Sequence, residues 1–331
     1  MNDTEMENQE IEYCGGENEY TTFAEVYDIF MEDTPYREWA AYIEELIGRY
    51  GISRPEKARS LPRPDESTPV MPLAAHAEQF SAAEQEKRAA AQEGQEQTGT
   101  ESAARHPLEE SLRTERNLVV DLGCGTGKMT EILASAGYDM IGIDSSADML
   151  ALAMKRRDAA FRDTLYLEQD MRDFELYGTA GTFVSVCDCV NYLLTPEDLV
   201  RMFRQVNLYL YPQGIFIFDF NTVYKYRDMI GDATIAENRE HCSFIWENWF
   251  YEKDNINEYD VTIFKEEPES GLFSRSTETH YQRGYTLEEM RAAAEQAGLI
   301  WVMAVDGDTH GDVNEKSGRI LAVVRENGKM I

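Results

Sequence analysis

The chain has 331 residues, 43% hydrophobic and 28% charged, a balance typical of a soluble globular protein. Its 62 acidic and 31 basic residues give a net charge of −31, which repels nucleic-acid phosphates and anionic lipids. We therefore expect neither nucleic acid nor a membrane as partner. No run reaches the roughly 18 apolar residues of a membrane span. The acidic N-terminus MNDTEMENQEIEY lacks the features of a signal peptide, which predicts a cytoplasmic location.

The five cysteines form no C-x-x-C pair, and an odd number in a reducing compartment is typical of free thiols. Cys187 and Cys189 would share one face of a strand. Because no histidine or second cysteine pair lies at zinc spacing from them, the sequence predicts no metal site.

Residues 20–50 repeat apolar and aromatic side chains with a period of about 3.6, which predicts two amphipathic helices. Thr34 and Pro35 separate them, with Thr34 expected as N-cap and Pro35 at the first helical position. Residues 52–115 are rich in Pro, Ala, Glu, Gln and Ser. We interpret this stretch as a disordered or weakly helical insertion, with a helix expected near 79–93, because it has little apolar surface to bury.

From residue 116 onward, short apolar runs alternate with amphipathic stretches. The runs predict strands at 117–122, 139–144, 164–169, 182–188 and 214–220, and the stretches predict helices at 126–136, 147–159 and 196–210. This alternation is typical of an α/β fold with a parallel sheet and helices on both faces.

The pattern changes after the fifth predicted strand. Alternating aromatics at 242–283 predict three antiparallel strands. Thr286 and Glu289 form a capping-box pattern at the start of a helix over 286–297, and two closing strands are expected near 299–305 and 318–325. The regions expected are an N-terminal helical lid over 1–51, an insertion over 52–115, an α/β core over 116–222, an antiparallel insertion over 223–283 and a C-terminal region over 284–331 that completes the core.

The stretch VVDLGCGTGKMTEILA places a glycine-rich turn between the first strand and a helix. A nucleoside-triphosphate loop requires G-x-x-x-x-G-K-[ST], but Leu122 stands at its first glycine and Met129 follows Lys128. A dinucleotide fingerprint, G-x-G-x-x-G, fits Gly123 and Gly125 and fails at Lys128. Neither phosphate motif is satisfied.

What remains is an acidic residue followed by G-x-G-x-G, namely Asp121, Gly123, Gly125 and Gly127. The glycines let the backbone turn sharply and approach a ligand without a Cβ in the way. Asp144 ends the next strand about twenty residues on, where a carboxylate can accept both hydroxyls of a ribose. The pattern indicates a nucleoside whose 5′ substituent need not be a phosphate.

With LEQDMRDF and LYPQGIFIFDFNT, these motifs resemble the class I S-adenosylmethionine-dependent methyltransferases. The similarity is greatest to the small-molecule branch with amino-sugar N-methyltransferases and glycine N-methyltransferase-like enzymes. It covers residues 116–222 and, less specifically, 20–50 and 242–325. The resemblance implies a Rossmann-like, seven-stranded, mostly parallel sheet with an antiparallel C-terminal strand, an N-terminal helical lid and a small antiparallel β insertion.

The resemblance also implies S-adenosylmethionine as cofactor and methyl transfer to a nitrogen or oxygen atom of a small polar metabolite. The glycine turn would contact the methionine moiety, Asp144 the ribose and Asp170 the adenine amino group. The implied cofactor residues are Tyr20, Tyr27, Tyr36, Asp121, Gly123, Cys124, Gly125, Gly127, Asp144, Ser145, Met149, Gln169, Asp170, Met171, Cys187 and Asp188. We expect a monomer or homodimer.

By resemblance, one substrate candidate follows the fourth strand near the transferable methyl group. The others follow the fifth strand or lie on the antiparallel strands, since ligands bind at the carboxyl ends of parallel strands. They are Asn191, Asn221, Tyr224, Trp249 and Arg283. Arg283 has two interpretations, as a partner for a substrate carboxylate or for a neighbouring glutamate. The catalytic candidates are Tyr192, by resemblance near the transferable methyl group, and His280, the histidine placed to act as a base.

Three alternatives stay open. An NAD-binding oxidoreductase is disfavoured by Lys128 at the third glycine and by the antiparallel tail. An RNA methyltransferase is disfavoured by the acidic charge and by DCVN in place of an N-P-P-[YF] tetrapeptide. A non-catalytic protein that senses S-adenosylmethionine remains, because methyl transfer has no invariant nucleophile to check.

Overall fold

The computed structural model describes residues 22–55, 107–160 and 163–329. Tyr20, Cys14, the helix expected near 79–93 and most of the predicted insertion 52–115 lie outside the described residues.

Helices and strands alternate through the first two thirds of the chain. The N-terminal helices are α1 (Thr22–Phe30), α2 (Tyr36–Tyr50) and α3 (Pro107–Asn117). The following elements are β1 (Leu118–Leu122), α4 (Lys128–Ser135), β2 (Asp139–Asp144), α5 (Ala147–Ala159), β3 (Leu165–Glu168), β4 (Ala180–Ser185), a 3₁₀ turn (Cys189–Tyr192), α6 (Pro196–Tyr209) and β5 (Leu210–Asn221). The last third contains a π-helix (Lys225–Ile230), β6 (Thr234–Asn238), β7 (Cys242–Tyr251), β8 (Ile256–Glu266), β9 (Phe273–Arg283), α7 (Leu287–Gln296), β10 (Ile300–Asp306) and β11 (Arg319–Arg325).

A seven-stranded sheet in the order β10-β11-β5-β4-β1-β2-β3 forms the centre of the fold. Strands β1 to β5 pair in parallel, β11 runs antiparallel to β5, and β10 runs antiparallel to β11. The predicted Rossmann-like sheet, mostly parallel with an antiparallel C-terminal strand, is confirmed. Because parallel strands end at one edge of a sheet, the carboxyl ends of β1 to β4 meet there.

Alternating side chains of the central strands pack on opposite faces of this sheet. Phe183 and Phe218 join the apolar cluster under α6 and α7, while Val184 and Ile217 join the cluster under α2 and α4. Strands covered on both faces read as nearly continuous apolar runs, as the sequence of β5 does.

The second sheet has the order β6-β7-β8-β9 and is antiparallel throughout. The three strands predicted within 242–283 are present as β7, β8 and β9, and β6 was missed. Its sequence, TIAEN, is short, polar and mostly exposed at the sheet edge, so it carries no alternation signal. Helix α1 packs on this sheet through Val26 and through Phe30, whose ring lies 4.6 Å from that of Phe244.

Local boundaries differ from the sequence-based expectations at several places, including the start of β5 at Leu210 rather than at residue 214. Pro35, not Thr34, occupies the N-cap of α2, and the Thr34 hydroxyl donates instead to Met31 Sδ at 3.7 Å. Residues 107–115, assigned by composition to the insertion, form most of α3. β4 ends at Ser185 rather than at residue 188 because the next residues leave the extended conformation. The capping box of Thr286 and Glu289 on α7 is confirmed.

We predict that Phe218→Ala lowers the free energy of unfolding by about 3–5 kcal/mol, the usual cost of truncating a buried phenylalanine. The Phe218 side chain is fully buried, with the Phe203 ring 5.3 Å away and the Phe216 ring 4.9 Å away. Phe273→Ala, on the exposed second sheet, is the matched control and should cost less than about 1 kcal/mol. Equal losses in denaturant titrations of the two variants would contradict this placement of the core.

Candidate active site

The glycine turn between β1 and α4 has a backbone that other residues would not adopt without strain. Gly123, Gly125 and Gly127 have φ of +77°, +53° and +73°. A Cβ at Gly123 would lie 2.8 Å from Cys189 Sγ, and one at Gly127 would lie 2.4 Å from the Tyr166 hydroxyl. A Cβ at Gly125 would meet none of the described residues within 4 Å, so this peptide borders open space.

The Asp144 carboxylate at the end of β2 is held by the turn beside it. Its Oδ2 accepts the Gly125 N–H at 2.8 Å, and its Oδ1 accepts the Ser146 N–H at 2.9 Å. A carboxylate offers about four acceptor positions, so each oxygen keeps the capacity for a further hydrogen bond. Burial raises the pKa of Asp144 above its ordinary value, although both N–H groups work against that shift.

A cavity of about 540 Å³ opens at the carboxyl ends of the parallel strands, a volume within the usual range for small-molecule sites. Its walls include most of the candidates: Tyr27, Tyr36, Asp121, Gly123, Cys124, Gly125, Asp144, Ser145, Met149, Gln169, Asp170, Met171, Cys187 and Tyr192. Gly127 and Asp188 lie beside the cavity without lining it.

The backbone after β4 is strained where it borders this cavity. Cys187 and Asp188 have φ of +64° and +52°, a region that costs non-glycine residues about 1–2 kcal/mol each. The Asp219 carboxylate stabilises the bend by accepting the Cys187 N–H at 3.2 Å and the Asp188 N–H at 2.9 Å. Arg319 neutralises Asp219 from 3.2 Å, and its guanidinium lies 4.2 Å from the centre of the Trp39 ring.

The Asp188 carboxylate points away from the cavity toward the second sheet. Its Oδ2 accepts the side-chain N–H of Gln282 at 2.7 Å. Burial, reinforced by the charge of Asp219, raises the pKa of Asp188 to about 6. This carboxyl therefore links β4 to β9 instead of lining the cofactor cavity.

Asp170 forms an ion-pair network that the sequence did not reveal. Arg172 donates to both Asp170 oxygens, with its Nη2 at 2.6 Å from Oδ2, and its Nη1 lies 3.4 Å from Asp198. Burial alone would raise the pKa of Asp170, but the hydrogen bonds from Arg172 outweigh it and lower that pKa. Asp170 is therefore ionised at neutral pH and presents acceptors at the cavity wall.

Several further wall residues were not predicted: Thr126, Lys128, Met129, Ile143, Ser146, Arg172, Val186, Cys189, Leu193, Leu194, Thr195, Asp198 and Tyr281. Thr195 could have been predicted, because a threonine before Pro196 is a typical helix N-cap and α6 begins at the ligand side of the sheet. Tyr281 lies on β9, where the alternation of side chains could not say which face meets the cavity.

The two catalytic candidates are placed differently. Tyr192 lines the cavity, and its hydroxyl lies 2.7 Å from that of Tyr259. His280 is fully buried behind Tyr259, stacked on its ring at 5.0 Å, and its Nε2 lies 3.6 Å from Glu278. His280 therefore lies within the packing of the second sheet and outside the cavity wall, and its role as a base stays a prediction.

The five substrate candidates are also outside the cavity wall. Asn191 is fully buried, donates both amide hydrogens to the carbonyls of Asn221 and Arg283, and accepts the Asn221 N–H, so its amide has no donor left for a substrate. The Asn221 amide donates to the Tyr226 hydroxyl at 3.1 Å. These side chains join β5, β9 and the 3₁₀ turn into one scaffold.

The other three substrate candidates lie on other surfaces. Arg283 pairs with Glu289 at 2.7 Å, which matches the glutamate interpretation. Trp249 is 39% exposed on β7, and Tyr224 is half-buried after β5. None of the five candidates lines the cavity, and substrate contact at these positions stays a prediction.

The thiols of Cys124, Cys187, Cys189 and Cys242 are free, as predicted. Burial raises the pKa of Cys189, whose Sγ–H donates to the carbonyls of Val186 at 3.0 Å and Gly123 at 3.2 Å. Cys189 is thus a neutral group that packs against the glycine turn. Within 22–55, 107–160 and 163–329, no three His, Cys, Asp or Glu side chains are grouped to hold a metal ion, and no helix is long and apolar enough to span a membrane.

Comparison with known proteins gives a consistent picture. Residues 119–214 match a family described as methyltransferase domain. The "Putative methyltransferase YqeM" of Bacillus subtilis is 34% identical over 195 residues, which cover 58% of this chain and 76% of that protein. A dTDP-3-amino-3,4,6-trideoxy-α-D-glucopyranose N,N-dimethyltransferase of Streptomyces venezuelae is 34% identical over 110 residues, which cover 33% of this chain and 45% of that protein.

Two solved structures share the fold. A S-adenosylmethionine-dependent methyltransferase from Clostridium acetobutylicum aligns over 94% of this chain and 100% of its own, with a TM-score of 0.66 at 21% identity. DesVI of Streptomyces venezuelae aligns over 78% of this chain and 100% of its own, with a TM-score of 0.52 at 22% identity.

We predict that Asp121 makes stability depend on pH between about 4 and 7. Burial, and then the nearby Asp144 charge, raise the pKa of Asp121 from 3.8 to about 7 against the hydrogen bond from Thr130. The folded protein holds this proton where the unfolded chain has released it, so stability falls as pH rises through that window. Relative to Asp121→Asn, wild type should lose free energy of unfolding from pH 4 to 7 in denaturant titrations.

The exposed Asp173→Asn serves as control and should follow the wild type across the same pH series. A wild-type curve that stays parallel to that of Asp121→Asn would refute the assignment to Asp121.

Proposed function

Because the chain belongs to the class I S-adenosylmethionine-dependent methyltransferases, we propose that it methylates a nitrogen or oxygen atom of a small polar metabolite. The observation that carries the site assignment is the Asp144 carboxylate, fixed by Gly125 and Ser146 at the mouth of a bare glycine turn. S-adenosylmethionine, when bound, supplies an electrophilic methyl group, because that methyl group is attached to a positively charged sulfur. The residues of this chain bind, orient and shield the reactants.

The nucleoside half of the cofactor fits the β1–β3 side of the cavity. Asp144 would accept the two ribose hydroxyls with the oxygen capacity that remains. Met149 and Met171 supply apolar contact for a base, and Asp170, kept ionised by Arg172, offers an acceptor to an exocyclic amine. The turn does not require a phosphate, because the Gly125 N–H that could bind one already donates to the Asp144 carboxylate. The Gly125 peptide also borders open space that can hold an uncharged group.

The remaining wall supports a site for the positive sulfur and the methyl acceptor. Tyr27 and Tyr36 enter from the N-terminal helices, Tyr192 from the 3₁₀ turn after β4, and Tyr281 from β9 of the second sheet. An aromatic face stabilises a nearby cation by ~0.5–2 kcal/mol. We assign the acceptor to the space between Tyr192 and Tyr281.

The charges of the wall favour an acceptor that carries an amine. Asp144, Asp170 and Asp198 line the cavity against the cations Lys128 and Arg172, and Asp121, whose pKa is raised by burial to about 7, is a fourth acid of the wall. An amine reacts as its free base and needs no catalytic base, while a hydroxyl acceptor needs one.

In-line methyl transfer depends mainly on holding two reactants at the right distance and angle, which contributes ~7–11 kcal/mol to lowering a barrier. The strained Cys187–Asp188 bend fits this need, because Cys187 lines the cavity and Asp219 accepts the N–H groups of both residues.

We predict that Asp144→Ala weakens binding of S-adenosylhomocysteine at least about tenfold, because a hydrogen bond to a charged group contributes ~1.5–3 kcal/mol. Titration calorimetry measures the effect, and the melting temperature reports folding. Asp139→Ala, at the exposed start of the same strand, is the matched control and should bind as wild type does. Unchanged affinity in Asp144→Ala would overturn the ribose assignment.

We predict that Tyr281→Ala raises the KM for the acceptor about 3- to 10-fold and leaves cofactor affinity within about twofold, since an aromatic contact contributes ~0.5–1.5 kcal/mol. The acceptor is first identified by transfer of labelled methyl groups to amines, hydroxyl compounds and bulk RNA. Phe273→Ala, at the exposed start of the same strand and outside the cavity wall, is the control. Cofactor binding without transfer to any compound would favour a sensor, and transfer to RNA would overturn the metabolite assignment.

A further inference from the structure

Asp28 in α1 is the meeting point of three groups from the core. Its Oδ1 accepts the Thr126 hydroxyl at 2.8 Å and lies 3.5 Å from Lys128 Nζ. Its Oδ2 forms an ion pair with the Arg156 guanidinium of α5. The carboxylate side chain is 31% exposed, so these contacts are shielded more than those of a surface pair.

Lys128 ties the end of α1 to the next helix. Its Nζ donates to the carbonyls of Asp28 at 3.3 Å and Met31 at 3.4 Å, where a cation complements the negative end of the helix dipole. The same ammonium lies 5.3 Å from the centre of the Tyr36 ring. Lys128 stands where a dinucleotide fingerprint requires glycine, and the structure gives this departure a role in attaching α1 and α2.

Arg156 connects the same carboxylate to the glycine turn. It donates to the main-chain carbonyl of Thr126 and, at 3.1 Å, to the Thr126 hydroxyl. Thr126 lies between Gly125 and Gly127, so one cluster holds both the turn and α1.

We propose that Asp28 is a positioning residue of the cofactor site, which clasps α1 to the glycine turn through Thr126, Lys128 and Arg156. Tyr27, the neighbour of Asp28, and Tyr36, under Lys128, both line the cavity. The clasp therefore fixes an aromatic wall and the opposite turn with one set of contacts. This inference rests on the proposed assignment of the cavity to the cofactor.

The clasp couples α1 to the ligand. A ligand that contacts both the glycine turn and the tyrosines binds the clasped arrangement more tightly than the unclasped one. By linkage, binding of that ligand increases the equilibrium constant for clasping by the same factor. Loss of the clasp speeds ligand release, and salt, which screens the ion pairs, has a smaller effect in the same direction.

The test uses Asp28→Asn, which keeps the shape of the side chain and removes its charge. S-adenosylhomocysteine should leave this variant about tenfold faster in stopped-flow measurements of tryptophan fluorescence, with the melting temperature of the ligand-free protein within about 2 °C. Raising the salt concentration should speed release from wild type and not from Asp28→Asn. Asp173→Asn, which breaks the exposed pair with Arg201, is the control and should behave as wild type.

Two further measurements test the clasp itself. Lys128→Met should also speed release, and its effect should shrink in the Asp28→Asn background because the two residues share one cluster. Hydrogen exchange of the ligand-free protein should show faster exchange at the amides of 22–31 and 123–127 in Asp28→Asn. This readout does not depend on cofactor binding.

Wild-type release rates and exchange in both variants would overturn the clasp while the proposed function stands. Failure of wild type to bind S-adenosylhomocysteine would overturn the proposed function instead. In that case unchanged exchange in Asp28→Asn would also overturn the clasp.

Discussion

The structure depends on a hydrogen bond between a glycine N–H and a carboxylate, from Gly125 to Asp144. It forms because β1 and β2 are parallel neighbours, so the turn after one strand and the last residue of the other meet at the same edge. Positive φ at three glycines turns the backbone toward that carboxylate. The packing beneath is equally restrictive, since a Cβ at Gly142 of β2 would lie 2.6 Å from the Tyr166 ring. These constraints together produce the glycine turn without side chains, the buried Asp144 carboxylate and the open cavity beside them.

Several carboxylates near this hydrogen bond are paired with basic residues, although the chain as a whole has a net charge of −31. Asp170 is paired with Arg172, Asp219 with Arg319 and Asp28 with Lys128 and Arg156. Burial is the main influence on Asp121 and Asp188, and it raises the pKa values of both carboxyl groups. Lys128 and Arg172 line the cavity, and Arg156 lies on α5, which supplies Met149 to the wall. Arg319 acts from β11 through Asp219, whose carboxylate holds the bend after β4.

The fold was largely predictable because its signals are local. Apolar runs, the glycine turn and the capping box of Thr286 and Glu289 each specify a short stretch of backbone, and the order of strands and helices then specifies the sheet. The edge strand β6 was missed because an exposed strand needs no apolar pattern. The family resemblance supplied the cofactor side of the cavity, since those candidates follow consecutive parallel strands.

The substrate side could not be predicted in this way. Alternation on β9 identified two faces and not which one meets the cavity, so Arg283 was chosen while Tyr281 lines the wall. Asn191 follows β4, as a ligand-binding residue would, yet its amide joins β5 to β9. The clasp at Asp28 joins residues about a hundred positions apart, and no local pattern marks such a contact.

The most direct measurement is a crystal structure of the protein grown with S-adenosylhomocysteine. Our account predicts the nucleoside across the bend at 123–127, with both sugar hydroxyls within hydrogen-bonding distance of the Asp144 carboxylate. A nucleoside bound elsewhere, or sugar hydroxyls turned away from Asp144, would contradict it.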